Sequence, residues 1–294
     1  MRKMILGVTV AAMALAGCDS TPADLHGLSA DPVERATACG RAAVAYTASA
    51  GEDAAESKRR ADLLQSIVDA TDFFGVTGLD DAKGKELLGD IEATLREGNW
   101  LGTVNACKAA YDLGPPETLP TLPQEPEKRA SACAGTAFAR SLATGELDDE
   151  KIGARVLADP KSSYFLIEAA RSSGDISAIS EKLGPDVEWA VASGAVGPLT
   201  DECVKEFPKA SLDSVELPAD EGNAVLACAL VGGLYGDAEG DLGAKAKAML
   251  GAVEKSTATP DLAIANDPKA LISMVADIGS PVRVAEACFK RFPG

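Results

Sequence analysis

Apolar residues recur along most of this chain at the three- to four-residue spacing of an amphipathic helix. Residues 56–74 read ESKRRADLLQSIVDATDFF, and residues 244–255 read AKAKAMLGAVEK. In both stretches the apolar side chains fall on one face of a helix. The pattern predicts an all-α fold. Residues 4–14 differ, because they form an almost wholly apolar run directly after Arg2 and Lys3.

Six of the seven cysteines mark out three similar stretches of the chain. The segments around the first cysteine of each stretch read RATACGRAAVAYTASAGE, RASACAGTAFARSLATGE and AVLACALVGGLYGDAEGD. These opening cysteines are Cys39, Cys133 and Cys228, which lie 94 and then 95 residues apart. The closing segments VNACKAAY, TDECVKEFP and AEACFKRFP agree as well. We therefore predict three tandem copies of a helical bundle of about 70–80 residues.

The copies share further positions counted from the opening cysteine. An alanine precedes it, a glycine and then an acid follow from twelve residues on, and the seventh residue on is Tyr46, Arg140 or Tyr235. We predict that this seventh position lies on the core face of the first helix, with Arg140 extending its charged end to the rim. The glycine is predicted to end that helix. The three glycines are Gly51, Gly145 and Gly240. About four short helices are expected in each copy, with the cysteines on the first and last.

The composition supports helices and excludes one class of partner. Aromatic residues are only 4% of the 294 residues while 46% are hydrophobic, so small aliphatic side chains must build the core. Such side chains suit close-packed helices better than a sheet. The net charge of −17 repels phosphate backbones, so we expect no nucleic-acid partner. Solubility alone is a sufficient reason for that charge.

The apolar run at residues 4–14 is too short to span a bilayer as a helix, and it leads into the sequence LAGC, whose cysteine is Cys18. A basic start, an apolar run and small residues before a cysteine together resemble the signal peptide and lipobox of bacterial lipoproteins. The resemblance covers only these first residues. It implies cleavage before Cys18, a diacylglycerol thioether on its sulfur, and acylation of the new amine, with palmitate among the chains.

The resemblance also implies a location. Several acyl chains anchor a protein stably, since each buried methylene contributes about 0.8 kcal/mol. The protein is therefore expected at the bacterial cell membrane, facing the periplasm. Asp19 follows the cysteine, and in enteric bacteria an aspartate there is associated with retention in the inner membrane; the outer membrane remains an alternative. Removing Arg2 and Lys3 with the signal peptide takes the net charge from −17 to −19.

Proline-rich and acidic stretches separate the predicted copies. The sequence GPPETLPTLPQEP carries five prolines, which break helices and favour an extended spacer. The predicted division is a removed signal peptide at residues 1–17, a lipidated flexible tether at 18–32, the first repeat at 33–113, a proline-rich linker at 114–126, the second repeat at 127–207, a linker at 208–220 and the third repeat at 221–294.

Threefold repetition also favours one pattern of disulfides. Export would place the cysteines in an oxidising compartment, where disulfides persist. Six cysteines allow fifteen pairings, and the one that repeats within each copy is Cys39–Cys107, Cys133–Cys203 and Cys228–Cys288. Each bond would tie the first helix of a bundle to its last, with a chain-entropy contribution of about 4 kcal/mol. Pairing across the linkers, 107 with 133 and 203 with 228, is the alternative.

Reactive side chains are sparse, and we predict no catalytic residue, no cofactor site and no metal site. The single histidine, His26, lies in the tether, which leaves no usual Ser-His-Asp or Cys-His arrangement. The cysteines form no CxxC and have no accompanying histidine, which argues against redox and zinc chemistry. Residues 78–86 resemble a P-loop, but five residues separate its glycines and Glu86 stands where Ser or Thr is required.

Three further features are predicted to be structural. Residues 237–243 alternate carboxylates as a calcium loop does, but they lack its sixth-position glycine and twelfth-position glutamate, so a turn between helices is predicted. Residues 172–174, Ser-Ser-Gly, are predicted to end a helix before a new N-cap at Asp175. Trp100 and Trp189 are predicted core anchors near the last helix of their copies, with ligand stacking as the alternative.

Repeated modules with no catalytic group singled out favour a binding surface. We predict a lipid-anchored, non-enzymatic protein of the periplasm or cell envelope that serves as a protein-interaction or assembly scaffold. Its expected partners are the membrane, through Cys18, and an unidentified envelope protein. Two alternatives remain: a ligand-binding or chaperone-like helical periplasmic protein, and an envelope hydrolase that uses carboxylates among its 45 acidic residues.

Overall fold

The computed structural model describes residues 24–143, 155–238 and 240–293. The regular structure in these ranges is helical, without strands, as the apolar spacing predicts. Among the helices described, none is both long and apolar enough to cross a bilayer. The helices are α1 (Pro32–Ala48), α2 (Ala54–Ala70), α3 (Phe73–Thr77), α4 (Asp81–Glu97), α5 (Leu101–Ala110), α6 (Pro126–Ala143), α7 (Pro160–Ala170), α8 (Ile176–Lys182), α9 (Gly184–Ser193), α10 (Val196–Glu206), α11 (Glu221–Gly236), α12 (Gly240–Val253), α13 (Leu262–Ala265), α14 (Pro268–Ile278) and α15 (Pro281–Arg291).

Aspartates begin eight of these helices, and their carboxylates accept hydrogen bonds from backbone N–H groups of the first turn. At α1, Asp31 accepts from Val33 and Glu34 at 2.8 and 3.0 Å. At α8, Asp175 accepts from Ala178 and is the N-cap predicted from the sequence. The other six are Asp53, Asp80, Asp159, Asp220, Asp261 and Asp267. Because negative charge stabilises a helix N-terminus, part of the acidity of this chain acts at helix starts.

The three disulfides have the pairing that the repetition predicts. Cys39–Cys107 joins α1 to α5, Cys133–Cys203 joins α6 to α10, and Cys228–Cys288 joins α11 to α15. The Cα–Cα distances are 5.9, 5.6 and 5.6 Å, which are ordinary for a disulfide. All six half-cystines are fully buried. The alternative pairing across the linkers is therefore wrong.

Small residues let the helices around α1 approach closely. The helix α1 contacts α2, α3, α4 and α5, and its buried face is rich in alanine. A Cβ atom added at Gly40 would lie 2.8 Å from the ring of Phe73, so this glycine makes room for the aromatic side chain. Residues 33–113 thus contain five helices where about four were expected, because the short helix α3 fills the turn between α2 and α4.

The seventh residue after each opening cysteine lies where the sequence predicts. Tyr46 and Tyr235 are 4% and 0% exposed, and Arg140 is exposed. Neither Gly51 nor Gly240, five residues further on, ends the first helix as predicted. Gly51 has φ 68° but follows α1 by three residues, and Gly240 has φ 80° and is the first residue of α12. The third of these glycines, Gly145, lies outside the described residues.

The first and second stretches meet at two glycine turns. Gly98 ends α4 and Gly194 ends α9, each with positive φ. Across the contact, Leu101 N–H donates to Gly194 O at 2.9 Å and Val196 N–H donates to Gly98 O at 3.0 Å. A Cβ atom added at Gly194 would lie 2.5 Å from Trp100 Cε2, and one at Gly98 would lie 2.7 Å from Val196 Cγ2. The Trp100 side chain therefore occupies the space over Gly194, and the Val196 side chain occupies the space over Gly98. Only glycine, which has no Cβ atom, leaves this space open.

The second and third stretches share a core and a polar contact. Ile167 and Ala170 of α7 are buried in the same cluster as Tyr235 of α11. The Tyr235 hydroxyl donates to Leu157 O at 2.9 Å, which satisfies this polar atom inside the core. The helix α7 also contacts α14 and α15. The linker between these stretches covers Gly279, where an added Cβ atom would lie 2.6 Å from Val215 Cγ1.

Candidate functional site

The sequence-predicted lipidation and sorting residues, Cys18 and Asp19, lie outside the described residues and stay predictions. His26 is exposed beside α1, with φ 49° and its backbone N–H donating to Asp24 Oδ1 at 2.9 Å. Residues 78–86 form a turn and the start of α4, where Lys83 Nζ donates to Thr77 O at 3.0 Å. This stretch therefore has no extended phosphate-binding loop.

The remaining sequence-predicted motifs are structural. Asp237 caps the C-terminus of α11, so the acidic stretch around it begins in the turn before α12. Gly174, with φ 75°, lies between α7 and α8. Trp100 is 2% exposed at the start of α5, and Trp189 packs beside Ala190. No group of three or more His, Cys, Asp or Glu side chains that could hold a metal is found in the part of the chain that the structure describes.

The densest polar cluster surrounds Glu117 of the proline-rich linker. One carboxylate oxygen accepts from Lys108 Nζ and, at 3.0 Å, from Arg59 Nη1. The other accepts from the Tyr46 hydroxyl and, at 2.9 Å, from Arg59 Nη2. The backbone of Glu117 is held as well, because its N–H donates to Asn105 Oδ1 at 2.6 Å and its carbonyl accepts from Asn105 Nδ2 at 3.0 Å.

Three stretches of sequence come together in this cluster. Tyr46 is on α1, Arg59 is on α2, and Lys108 is on α5 beside the disulfide residue Cys107. The side chains of Lys108 and Glu117 are 7% and 12% exposed, so this ion pair is largely removed from water. Arg59 also donates from Nε to Glu56 Oε2 at 2.8 Å on its own helix.

The cluster shifts the protonation equilibria of its members in consistent directions. Burial alone would raise the pKa of the Glu117 carboxyl, but hydrogen bonds from Arg59, Lys108 and Tyr46 outweigh it and lower the pKa to about 2. Burial, together with the Glu117 carboxylate, raises the pKa of Tyr46 to about 12. Hydrogen bonds from Arg59 and Arg60 lower the pKa of Glu56 to about 2. The cluster therefore stays ionised with a neutral tyrosine across the ordinary pH range.

A cleft of about 570 Å³ adjoins the cluster, between the linker, α2 and the end of α9. Residues 117–121 form one side of it, and Ala192 and Ser193 form another. The charged groups facing it are already paired: both oxygens of Glu117 accept hydrogen bonds, and the Arg59 donors are directed at Glu117, Glu56 and Tyr46. A general acid needs a proton near pH 7, and a nucleophile needs a free lone pair. Because these charged groups already bond to one another, the arrangement suits holding the linker in place better than catalysis.

A second polar cluster joins α7 to α14. Arg171 Nη2 donates to Asp277 Oδ1 at 2.8 Å, and Lys209 Nζ donates to Asp277 O at 2.7 Å. Burial opposes the ionised form of Asp277, but its hydrogen bond and charge interaction with Arg171 lower its pKa. Lys209 belongs to the second linker, so each linker carries a side chain that bonds to the helices beside it. Glu117 is largely buried, whereas Lys209 and Asp277 are 42% and 62% exposed.

Sequence reasoning missed two sets of structural positions that recur at fixed distances from the cysteines. A leucine lies eleven residues before each opening cysteine and packs on the cluster that contains the disulfide. These leucines are Leu28, Leu122 and Leu217. A glycine lies nine residues before each closing cysteine and adopts positive φ. These glycines are Gly98, Gly194 and Gly279. The constant spacing was the signal that could have identified both sets.

Comparison with known proteins adds no family. No model of a known protein family matches the chain, and searches of curated proteins and of solved structures find no match either.

Proposed function

We propose that this chain is a lipid-anchored, non-enzymatic protein of the bacterial cell envelope, built from three tandem disulfide-closed helical repeats that present a scaffold for another envelope protein. The membrane anchor is a diacylglycerol on Cys18, and the protein faces the periplasm, with Asp19 favouring the inner membrane. The observation that carries the proposal is the division of the seven cysteines into three buried disulfides and one remaining residue.

The disulfides support the compartment. Buried disulfides that close loops of 60 to 70 residues persist in oxidising compartments, and reduced cysteines are the rule in the cytosol. Pairing uses six cysteines, and the seventh follows a basic and apolar leader with small residues before it. If the sulfur of Cys18 carries the lipid, this accounts both for the one cysteine left out of the disulfides and for the leader that precedes it.

Recurring hydrogen bonds support the tandem repeat. Arg35 and Arg129 each lie four residues before an opening cysteine, and each donates to the carbonyls five and six residues before itself. For Arg35 the acceptors are the carbonyls of residues 30 and 29, and for Arg129 those of residues 124 and 123. In the third repeat the equivalent residue is Ala224, and Arg291 of the closing helix donates instead to Pro218 O at 3.0 Å. Pro218 is equivalent to Pro123, so the same carbonyl is bonded from the other helix.

The held linkers support a scaffold. Glu117 fixes the first linker to α1, α2 and α5, and Lys209 connects the second linker to α14. Spacers that are attached in this way give the three repeats a defined arrangement, which a surface for a protein partner requires. Glu117 serves that purpose, because both of its carboxylate oxygens already accept hydrogen bonds from the chain itself.

The lipid anchor is tested on protein purified from bacterial membranes. Mass spectrometry of the N-terminal peptide should show a chain that begins at Cys18 and carries diacylglycerol and an acyl group. A Cys18→Ala variant should appear in the aqueous fraction after cell breakage with its three disulfides intact. A membrane-bound Cys18→Ala protein, or a parent protein without lipid, would refute the anchor.

The scaffold role is tested by crosslinking in intact cells. A specific envelope protein should crosslink to the parent chain and should be lost in a Cys18→Ala strain that makes the same amount of folded protein. The same partner should bind purified oxidised chain. If no partner crosslinks, or if crosslinking does not depend on the anchor, the scaffold proposal fails while the lipid result stands.

A further inference from the structure

Half of the large hydrophobic side chains that are exposed in the described residues belong to α1, α3 and the turn before α4. Val33 is 44% exposed, Phe74 64% and Leu79 38%. We call these three residues the apolar patch. Val33 and Leu79 line a groove of about 270 Å³ between α1, α3 and α4, and Phe73 forms part of its wall. The Phe74 ring lies 5.4 Å from the ring of Phe73, so the patch is continuous with the groove.

Exposure of Phe74 follows from the shape of α3. The helix has five residues, and neighbouring positions on a helix point about 100° apart. Phe73 is buried at 6% exposure over Gly40, so Phe74 cannot face the same core. A polar residue at this position would leave the protein core unchanged. An exposed aromatic residue beside exposed aliphatic ones therefore indicates contact with something apolar.

One residue of the patch, Val33, lies where the tether enters the body. Val33 is in the first turn of α1, and the preceding segment is fixed there, because Arg35 Nη1 donates to Ser29 O at 2.9 Å and Leu28 packs on the Cys39–Cys107 cluster. Residues 18–23 are then the only chain between the lipidated cysteine and the described body. Six residues reach at most about 20 Å, so the first turn of α1 cannot move far from the bilayer.

We propose that the apolar patch rests on the lipid bilayer, with Phe74 at the boundary between headgroups and acyl chains. This inference depends on the proposed lipidation of Cys18. The body then approaches the membrane in one orientation, with the first repeat lowest and the second and third repeats directed away from the lipid.

The charges around the patch indicate which property of the lipid matters. Lys83 Nζ is already directed to Thr77 O, and Asp80 and Glu86 are exposed nearby. No cluster of basic side chains surrounds the patch among the described residues, so anionic headgroups gain little from it. Contact is hydrophobic and needs no anionic lipid. Because Asp80, Glu86 and the net charge of the chain are negative, added anionic lipid should weaken the contact, and salt should reduce that weakening.

The test uses two variants of the full lipidated chain that each add one tryptophan at an equally exposed apolar site. Phe74→Trp lies in the patch, and Leu262→Trp is the control in the third repeat, at 66% exposure in the parent. Both proteins are reconstituted into phosphatidylcholine vesicles with brominated acyl chains. We expect loss of the added emission for Phe74→Trp only, and a blue shift of that emission in matched vesicles without bromine. Added phosphatidylglycerol should weaken both effects, and salt should restore them.

Equal quenching of the two variants, or no quenching of Phe74→Trp, would overturn the inference. A patch that binds a second copy of the chain would give a blue shift and a doubled mass by sedimentation in detergent, without lipid, and that result also overturns it. The mass of the N-terminal peptide is measured on the same sample. Absent lipid would refute the proposed function and this inference together, whereas lipid without quenching would refute this inference alone.

Discussion

Glu117 shows how a single residue fixes a proline-rich segment. Prolines 115, 116, 120, 123 and 126 stiffen the linker but supply no backbone donor of their own. Attachment therefore comes from one side chain and one backbone residue, which together meet Arg59, Lys108, Tyr46 and Asn105. The carboxylate meets two cations: the Arg59 side chain is 47% exposed, whereas the Lys108 side chain is 7% exposed, so the attachment is strongest at Lys108, where the ion pair is removed from water.

Glu117→Leu should lower the free energy of unfolding by about 3 kcal/mol, because it leaves the Lys108 ammonium buried without a counterion. Adding Lys108→Met to that variant should restore much of the loss. The measurement is denaturant unfolding of the oxidised protein. Asp62→Asn breaks the exposed Lys58–Asp62 pair and serves as the control, with a change within about 0.5 kcal/mol. If Glu117→Leu and Asp62→Asn lowered the free energy of unfolding equally, burial of the Lys108–Glu117 pair would have no role.

Glu117 should make the stability of the folded chain sensitive to acid. A carboxyl whose pKa is about 2 in the folded chain and 4.5 ordinarily binds fewer protons when folded. Its contribution is fully present above pH 4.5 and is lost as the pH falls towards 2. Glu56 acts in the same window. The thermal midpoint should fall across this range, and the fall should be smaller in Glu117→Gln; an identical slope in both proteins would contradict the assignment.

Tyr46 predicts a change at the opposite end of the pH scale. Its pKa is raised from 10.0 to about 12, so the folded chain holds the phenol proton more tightly than the unfolded chain does. The contribution is present below pH 10 and is lost as the pH rises towards 12. Tyr46→Phe should lack this loss. Spectrophotometric titration of the phenols should show one group fewer at high pH in that variant.

At the scale of elements, the glycine turns before the closing helices are constrained both in backbone conformation and in packing. Gly194 needs positive φ and also needs the space that the Trp100 ring occupies. Gly51 has nearly the same φ but has open space around it, with no other atom within 4 Å of an added Cβ. Substitutions at Gly51 and Gly194 therefore separate the free-energy cost of positive φ from the free-energy cost of close packing.

Gly51→Ala should cost about 1 kcal/mol of unfolding free energy, for backbone strain alone. Gly194→Ala should cost about 3 kcal/mol, because steric overlap with the Trp100 ring adds to the same strain. The tryptophan emission of Gly194→Ala should also shift to the red as the indole loosens. Equal costs for the two variants would show that the packing against Trp100 contributes nothing.

The sequence predicts the helices and the disulfides because both have a regular signature. Apolar spacing marks a helix, and threefold repetition selects one pairing of Cys39, Cys107 and their counterparts. The Glu117 cluster has no such signature, since its ions come from three segments that meet only when the linker docks. The short helix α3 was missed for a similar reason, because a five-residue helix does not show a full period.

At the scale of the whole molecule, the cores of neighbouring cysteine-bounded stretches are continuous. Ala195 is buried with Tyr46 and Trp100 of the first stretch, and Ile167 is buried with Tyr235 of the third. Stretches that folded independently would have separate cores. Shared clusters together with attached linkers couple the stability of each stretch to that of its neighbours.

Unfolding of the oxidised chain by guanidinium should therefore be a single transition. Trp100 and Trp189 report on the first two cysteine-bounded stretches, and far-ultraviolet circular dichroism reports on all the helices. The two curves should coincide. Two separated transitions would show that the third stretch unfolds independently, contrary to the shared cluster around Tyr235.

The contact between Gly98 and Gly194 is reciprocal within one polypeptide. Trp100 and Val196 each lie seven residues before a closing cysteine, and each occupies the space over the glycine of the other turn. At Gly279, the glycine in the same place in the third cysteine-bounded stretch, Val215 of the preceding linker fills that space instead. The turns of the first two stretches therefore enclose each other, whereas the turn of the third is covered by its own linker.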